Sequence, residues 1–305
     1  MADPAPPSPE AKPPGKIAEA ATRTGAKKAS LDWPALTVLG LLAGAYIGFG
    51  GLFSTVALAG AEASGMPFGA ARLLSGLAFS LGLVLVLVAG AELFTGNTLL
   101  VVAWAEGRAG AGDIWKALAL AYLTNLAGSI AVAVLAFAAG AHAAGDGAVG
   151  AAALSTAQTK AALPFGQAFA SGVAANVLVC LAVWMAWGAR SAADKVLVIV
   201  PPIAAFVALG LEHSVANMSL IPFGWMVRAF ANAAFWAGAG LDPAAFPAVT
   251  PGGFAANLVP VTLGNMAGGA LVGAAYWFSY LRPKAEAEAD GNRTHRPRHR
   301  ASPRF

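Results

Sequence analysis

The chain has 305 residues, 58% of them hydrophobic and 11% charged, with 15 Asp and Glu against 19 Lys and Arg. A mean hydropathy of +0.66 lies outside the range of soluble domains and points to a lipid environment. The net charge of +4 sits mostly in tails and short loops, which argues against a nucleic-acid partner, and the single cysteine, Cys180, cannot form an intrachain disulfide.

In chain order, residues 1–31 are rich in Pro, Ala and Lys and read as a disordered tail, expected on the cytoplasmic side. Crossing the hydrocarbon takes about 20 apolar residues, so the stretches between ionisable side chains measure what can span. Trp33 to Ala61, Ala117 to Ala141, Ala161 to Ala189 and Gly253 to Leu281 are each long enough for a continuous helix. Leu73 to Ala105 is too long for one plain span and is interrupted by Glu92-Leu93-Phe94-Thr95-Gly96-Asn97. Val196 to Leu211 and Ser214 to Val227 are each short for a crossing, with Glu212-His213 between them. The expected domain of six spans covers residues 32–282, and residues 283–305 read as a second, basic disordered tail.

The order whole, broken, whole is repeated, and Leu123-Thr124-Asn125-Leu126-Ala127-Gly128 matches Leu263-Gly264-Asn265-Met266-Ala267-Gly268. An odd number of spans per half implies a 3+3 inverted repeat, helices 2 and 5 being the broken ones. A cytoplasmic N-terminus puts all but Arg72, Lys160 and Arg228 of the 19 basic residues on the cytoplasmic side, so both termini are expected inside.

A broken helix is tolerated in lipid only where it is buried in protein or lines a cavity, and half-helix N-termini suit an anion. His213 is the only histidine inside an expected span and sits at a break; its alternatives are a functional group and a neutral donor joining helices. Glu212 is either a proton carrier or a partner of a neighbouring group. Lys160 either focuses anions at a vestibule or is an ordinary interfacial lysine. Asn125, Asn176 and Asn265 recur inside apolar helices as interhelical hydrogen-bonding groups or pore-lining ones. Phe79, Leu83, Leu93, Phe94 and Phe206 are packing residues or apolar constrictions. No cofactor or metal is expected.

Met66-Pro67-Phe68-Gly69, the Glu92 to Asn97 run, Gly210-Leu211-Glu212-His213-Ser214-Val215-Ala216-Asn217-Met218 and Val261-Thr262-Leu263-Gly264-Asn265 resemble motifs of the formate/nitrite transporter family. The resemblance runs from about Trp33 to Leu281. It implies an all-α, aquaporin-like membrane fold assembled as a homopentamer in a bacterial inner membrane, with one pathway per protomer for formate, nitrite or hydrosulfide. By motif position, His213 resembles the central pore histidine, Thr95 its partner, and Lys160 the vestibule lysine. Phe79, Leu83, Leu93, Phe94 and Phe206 match the constrictions, and Asn176 and Asn265 match polar positions near the pore.

The expected mechanism is capture of a small anion and passage as the neutral acid, His213 supplying the proton. A water or glycerol channel is disfavoured because paired Asn-Pro-Ala motifs are missing. An intramembrane enzyme would need a nucleophile and base or clustered ligands that the spans lack. A proton symporter would use the same residues and stays open.

Overall fold

The computed structural model describes residues 10–282, and every regular element among them is helical. Five helices are long and apolar enough to cross a membrane: α2 (Trp33–Leu58), α3 (Phe68–Gly90), α5 (Ala111–Ala138), α7 (Phe165–Gly188) and α11 (Pro251–Tyr280). Local chemistry sets their ends. The Asp32 carboxylate accepts from the Ala35 N–H at the start of α2, and the Thr250 hydroxyl from the Gly253 N–H at the start of α11.

The two expected interruptions are present. The last turn of α3 widens into a π-helix over Leu85–Gly90, and Gly90 leaves it at φ +92°. The chain then passes through Ala91 to Leu93 into the short apolar helix α4 (Phe94–Ala105). In the second half α8 (Ala192–Ala208) opens on a Ser191–Asp194 capping box and is left through Gly210 at φ +71°. After Leu211 and Glu212 comes α9 (Ser214–Phe230).

Two further helices depart from the sequence reading. Residues 14–29, expected within a disordered tail, form α1 (Pro14–Ala29). This helix buries Ala18, Ala21 and Gly25 and is tied down by Lys12, whose N–H donates to the Gly188 carbonyl at 3.0 Å. Its buried side chains are too small to register as an apolar stripe, which is why composition misread it. The Ala-rich connection before α7 likewise forms α6 (Ala148–Ala161), followed later by the short α10 (Ala233–Ala239). Residues 1–9 and the basic tail expected over 283–305 lie outside the described residues.

Small residues let the long helices touch backbone to backbone. A Cβ on Gly128 of α5 would overlap the Leu41 carbonyl of α2, and one on Gly268 of α11 would overlap the Val173 carbonyl of α7. The matched Leu-x-Asn-x-Ala-Gly segments thus make matched contacts. The main core contains Phe79, Leu83, Leu93, Phe94, Phe206 and Val215, packed around the two breaks.

Candidate functional site

Each break is held by an asparagine from the matched segments. The Asn125 carboxamide oxygen accepts from the Phe94 N–H at 2.8 Å, and its Nδ2 donates to the carbonyls of Gly40 (2.8 Å) and Glu92 (3.0 Å). Asn265 repeats the pattern: its oxygen accepts from the Ser214 N–H at 2.8 Å, and Nδ2 donates to Gly172 (2.8 Å) and Glu212 (3.0 Å). Both side chains are fully buried, so each satisfies a helix start and a chain break that water does not reach. The contacts of Asn125 and Asn265 are those of helix-joining groups.

Each break also carries an ion pair. Lys28 Nζ lies 3.0 Å from Glu92 Oε2, which accepts from Asn97 Nδ2 at 2.9 Å. Lys160 Nζ lies 2.8 Å from Glu212 Oε1, and Glu212 Oε2 accepts from Asn217 Nδ2 at 2.6 Å. Lys160 comes from the last turn of α6 and Lys28 from the last turn of α1, so the helices unforeseen in the sequence deliver the two lysines. Glu212 is the buried partner of a lysine, and Lys160 does not stand alone as a cation.

His213 is the N-cap of α9. Its Nδ1 accepts from the Ala216 N–H at 3.1 Å, and its Nε2 lies 2.8 Å from Thr95 Oγ1. A ring nitrogen that accepts from a backbone N–H carries no proton, so these contacts assign the proton to Nε2, which donates to the Thr95 hydroxyl. Thr95 is held in turn: its carbonyl accepts from Thr98 Oγ1 at 2.6 Å and from Asn176 Nδ2 at 3.3 Å. Asn176 Nδ2 also donates to the Asn265 carbonyl at 2.5 Å, linking the two breaks.

Two of the expected apolar residues pack beside this pair. The Phe206 ring lies 5.8 Å from the His213 ring and meets Phe79 edge to face at 5.4 Å. Leu83, Leu93 and Phe94 are at most 3% exposed, and Phe94 packs edge to face on Tyr122 at 4.9 Å.

A cavity of about 1150 Å³ approaches His213 from one side; Phe79, Phe206, Lys160, Glu212 and Arg72 contribute to its walls. A second of about 450 Å³ lies against Lys28, Glu92, Val86 and Lys195. Each of the two recesses bears a Lys–Glu pair, and the first is also lined by His213.

His142, in the turn after α5, lies apart from this site, stacked on Phe137 at 4.6 Å. Burial pushes its imidazole below the usual histidine range. The sequence reading missed Lys28, Asn97 and Arg72 as site residues. A usable signal existed for Lys28: it is spaced from Gly40 as Lys160 is from Gly172. Among the described residues no cluster of His, Cys, Asp and Glu could hold a metal ion.

Apolar helices of spanning length, two buried interruptions and a hydrogen-bonded centre between recesses define the class of polytopic helical proteins built around a pathway for small solutes. Comparison with known proteins makes the assignment specific. The formate/nitrite transporter family matches residues 15–278, and the chain belongs to it. It is 41% identical over 271 residues to the formate channel FocA of Escherichia coli (strain K12), covering 88% of this chain and 94% of that one. It is 36% identical over 246 residues to the nitrite transporter NirC of the same strain, covering 80% and 82%. A solved structure described as a pentameric formate channel with formate bound matches with a TM-score of 0.75 and 40% identity, over 82% of this chain and 98% of that one. Another, described as an FNT family ion channel, matches with a TM-score of 0.73 and 31% identity, over 87% and 98%.

Proposed function

We propose that this protein is a proton-coupled channel for small monovalent anions, formate first among them, in which the pathway runs between the two cavities past His213 and Thr95. The observation that carries the reading is the Nε2–H···Oγ1 hydrogen bond at 2.8 Å, sealed by Phe79 and Phe206 and reached by a Lys-bearing cavity. Formate is favoured over nitrite because the relative with 41% identity is a formate channel and the one with 36% a nitrite transporter. Nitrite is kept as the second reading on that same similarity, and hydrosulfide rests on the family resemblance alone.

In this reading the interrupted helices α3–α4 and α8–α9 are the second and fifth of six spans, and the halves form a 3+3 inverted repeat of aquaporin-like design. The matched contacts of Asn125 and Asn265, and of Lys28 and Lys160, support it. The Lys and Arg distribution favours both termini in the cytoplasm, so the larger cavity is the outer vestibule and the smaller the inner one, and likeness to Escherichia coli channels favours a bacterial inner membrane. The likeness to a pentameric channel, with large apolar side chains such as Leu135 and Leu197 on the chain's surface, supports a homopentamer in the bilayer with one pathway per protomer.

A bare anion loses hydration worth many kcal/mol between apolar walls, so it crosses best with a proton added. The anion enters a vestibule and meets Nε2–H of His213 in place of the Thr95 hydroxyl. With Nδ1 bare and accepting from Ala216, Nε2–H is the ring's one proton, and giving it up outright would leave an imidazolate, a far stronger base than formate. His213 therefore serves as a fixed hydrogen-bond donor that draws the anion to the constriction, and the neutralising proton arrives with it from vestibule water. The sequence-based expectation, His213 as the proton's own source, is the alternative this reading is set against.

Flux of formate, nitrite and hydrosulfide into proteoliposomes at matched gradients tests the substrate reading. Formate is expected to be fastest; a rate no higher than in protein-free vesicles for all three overturns it.

A further inference from the structure

The carbonyl end of α8 faces the outer vestibule, and this raises an electrostatic difficulty for an anion pathway. The helix is left by a turn in which the Leu211 N–H donates to the Phe206 carbonyl and the Gly210 N–H to the Val207 carbonyl, both at 3.0 Å. A helix C-terminus still presents about half a negative charge, here beside the ring of Phe206 and upstream of His213. Arg72, from the start of α3, reaches across. Its Nη2 donates to the Val207 carbonyl at 2.7 Å, its Nε lies 3.5 Å from the Ala208 carbonyl, and a Cβ on Gly210 would come within 3.2 Å of Nη2.

The other charges on the vestibule wall do not do this. Lys160 is paired with Glu212 at 2.8 Å, so the two nearly cancel, and Glu62 is an exposed residue of the turn before α3. Among the described residues Arg72 has no carboxylate within ion-pair distance; Glu212 acts on it from farther off, and the hydrogen bonds of its guanidinium go to the helix end. The corresponding exit of α3 uses the same turn, with the Ala91 N–H donating to the Val86 carbonyl at 2.9 Å after Gly90. There Lys195 lines the inner cavity, yet among the described residues no side chain donates to the carbonyls of Leu87 or Val88. The turn forms without a cationic cap, so folding of the break does not by itself require Arg72.

We propose that Arg72 is a positioning residue of the outer vestibule: it caps the carbonyl end of α8 and removes the negative potential an incoming anion would meet before His213. The proposal rests on the anion-channel reading, and its test separates the two. Uptake from the outer side is measured in proteoliposomes over a concentration series for wild type, Arg72→Gln and Arg72→Lys, with formate and nitrite in parallel and assembly checked by size-exclusion chromatography. Arg72→Gln is expected to raise the half-saturating concentration about fivefold with the maximal rate held within about twofold, and Arg72→Lys to restore it to within about twofold of wild type. An unchanged half-saturation in Arg72→Gln, or equal impairment in Arg72→Lys, overturns the proposal. Where Arg72→Gln does not assemble, Arg72→His replaces it: its half-saturation relative to wild type should fall as outer pH drops through about 6.5, and a constant ratio overturns the proposal. Absence of wild-type flux for both anions instead overturns the channel reading on which Arg72 depends.

Discussion

His213 joins two duties in one ring: Nδ1 caps α9 and Nε2–H meets Thr95. The two can be separated. His213→Asn keeps a side-chain oxygen for the Ala216 N–H, while His213→Phe loses both contacts. His213→Phe is expected to lower stability by about 1 kcal/mol relative to His213→Asn, read as a lower thermal midpoint in detergent, because a lost N-cap is worth that much. Both are expected to lower formate flux about tenfold in proteoliposomes, because neither places a donor where Nε2–H stands; flux within about twofold of wild type in either would remove His213 from anion capture. At this scale the sequence was informative where chemistry was rare. One histidine at a break in an apolar run stands out, and so does Glu212 beside it. Lys28 and Arg72 did not stand out, because a basic residue near the end of a span looks the same whether it turns to the headgroups or inward.

Between elements, the breaks depend on Asn125 and Asn265, each of which satisfies three backbone groups. Asn265→Ala is expected to cost about 3 kcal/mol or more, since the Ser214 N–H and the Glu212 carbonyl would be left buried and unpaired. Asn265→Asp tests the same contacts with the acceptor retained and should recover less than half of that loss, with the thermal midpoint as the measurement. A midpoint for Asn265→Ala within a degree of wild type would contradict the role. These elements were legible because the paired Leu-x-Asn-x-Ala-Gly segments and both polar interruptions sit at matching places in the chain. α1 and α6 were not, since helices that bury Ala18, Ala21, Ala153 and Ala157 leave no large apolar stripe to detect. Their importance came from position, because each ends on the lysine that pairs with a break.

The whole molecule brings these parts to one centre: two recesses with Lys–Glu pairs, an apolar seal, and a single buried His–Thr bond. Hydropathy read the five apolar helices of spanning length, and the polar interruptions it marked are both present. The pairing of Lys160 with Glu212 changed the electrostatic picture, since a lysine assigned to attract anions is nearly neutralised by its own partner. The central claim is that the anion crosses with a proton. The most direct test follows internal pH and formate content together in proteoliposomes given an inward formate gradient, against protein-free vesicles. Internal acidification in step with formate, about one proton per formate, is the expected result. Formate accumulation above the protein-free rate with no change in internal pH would contradict it.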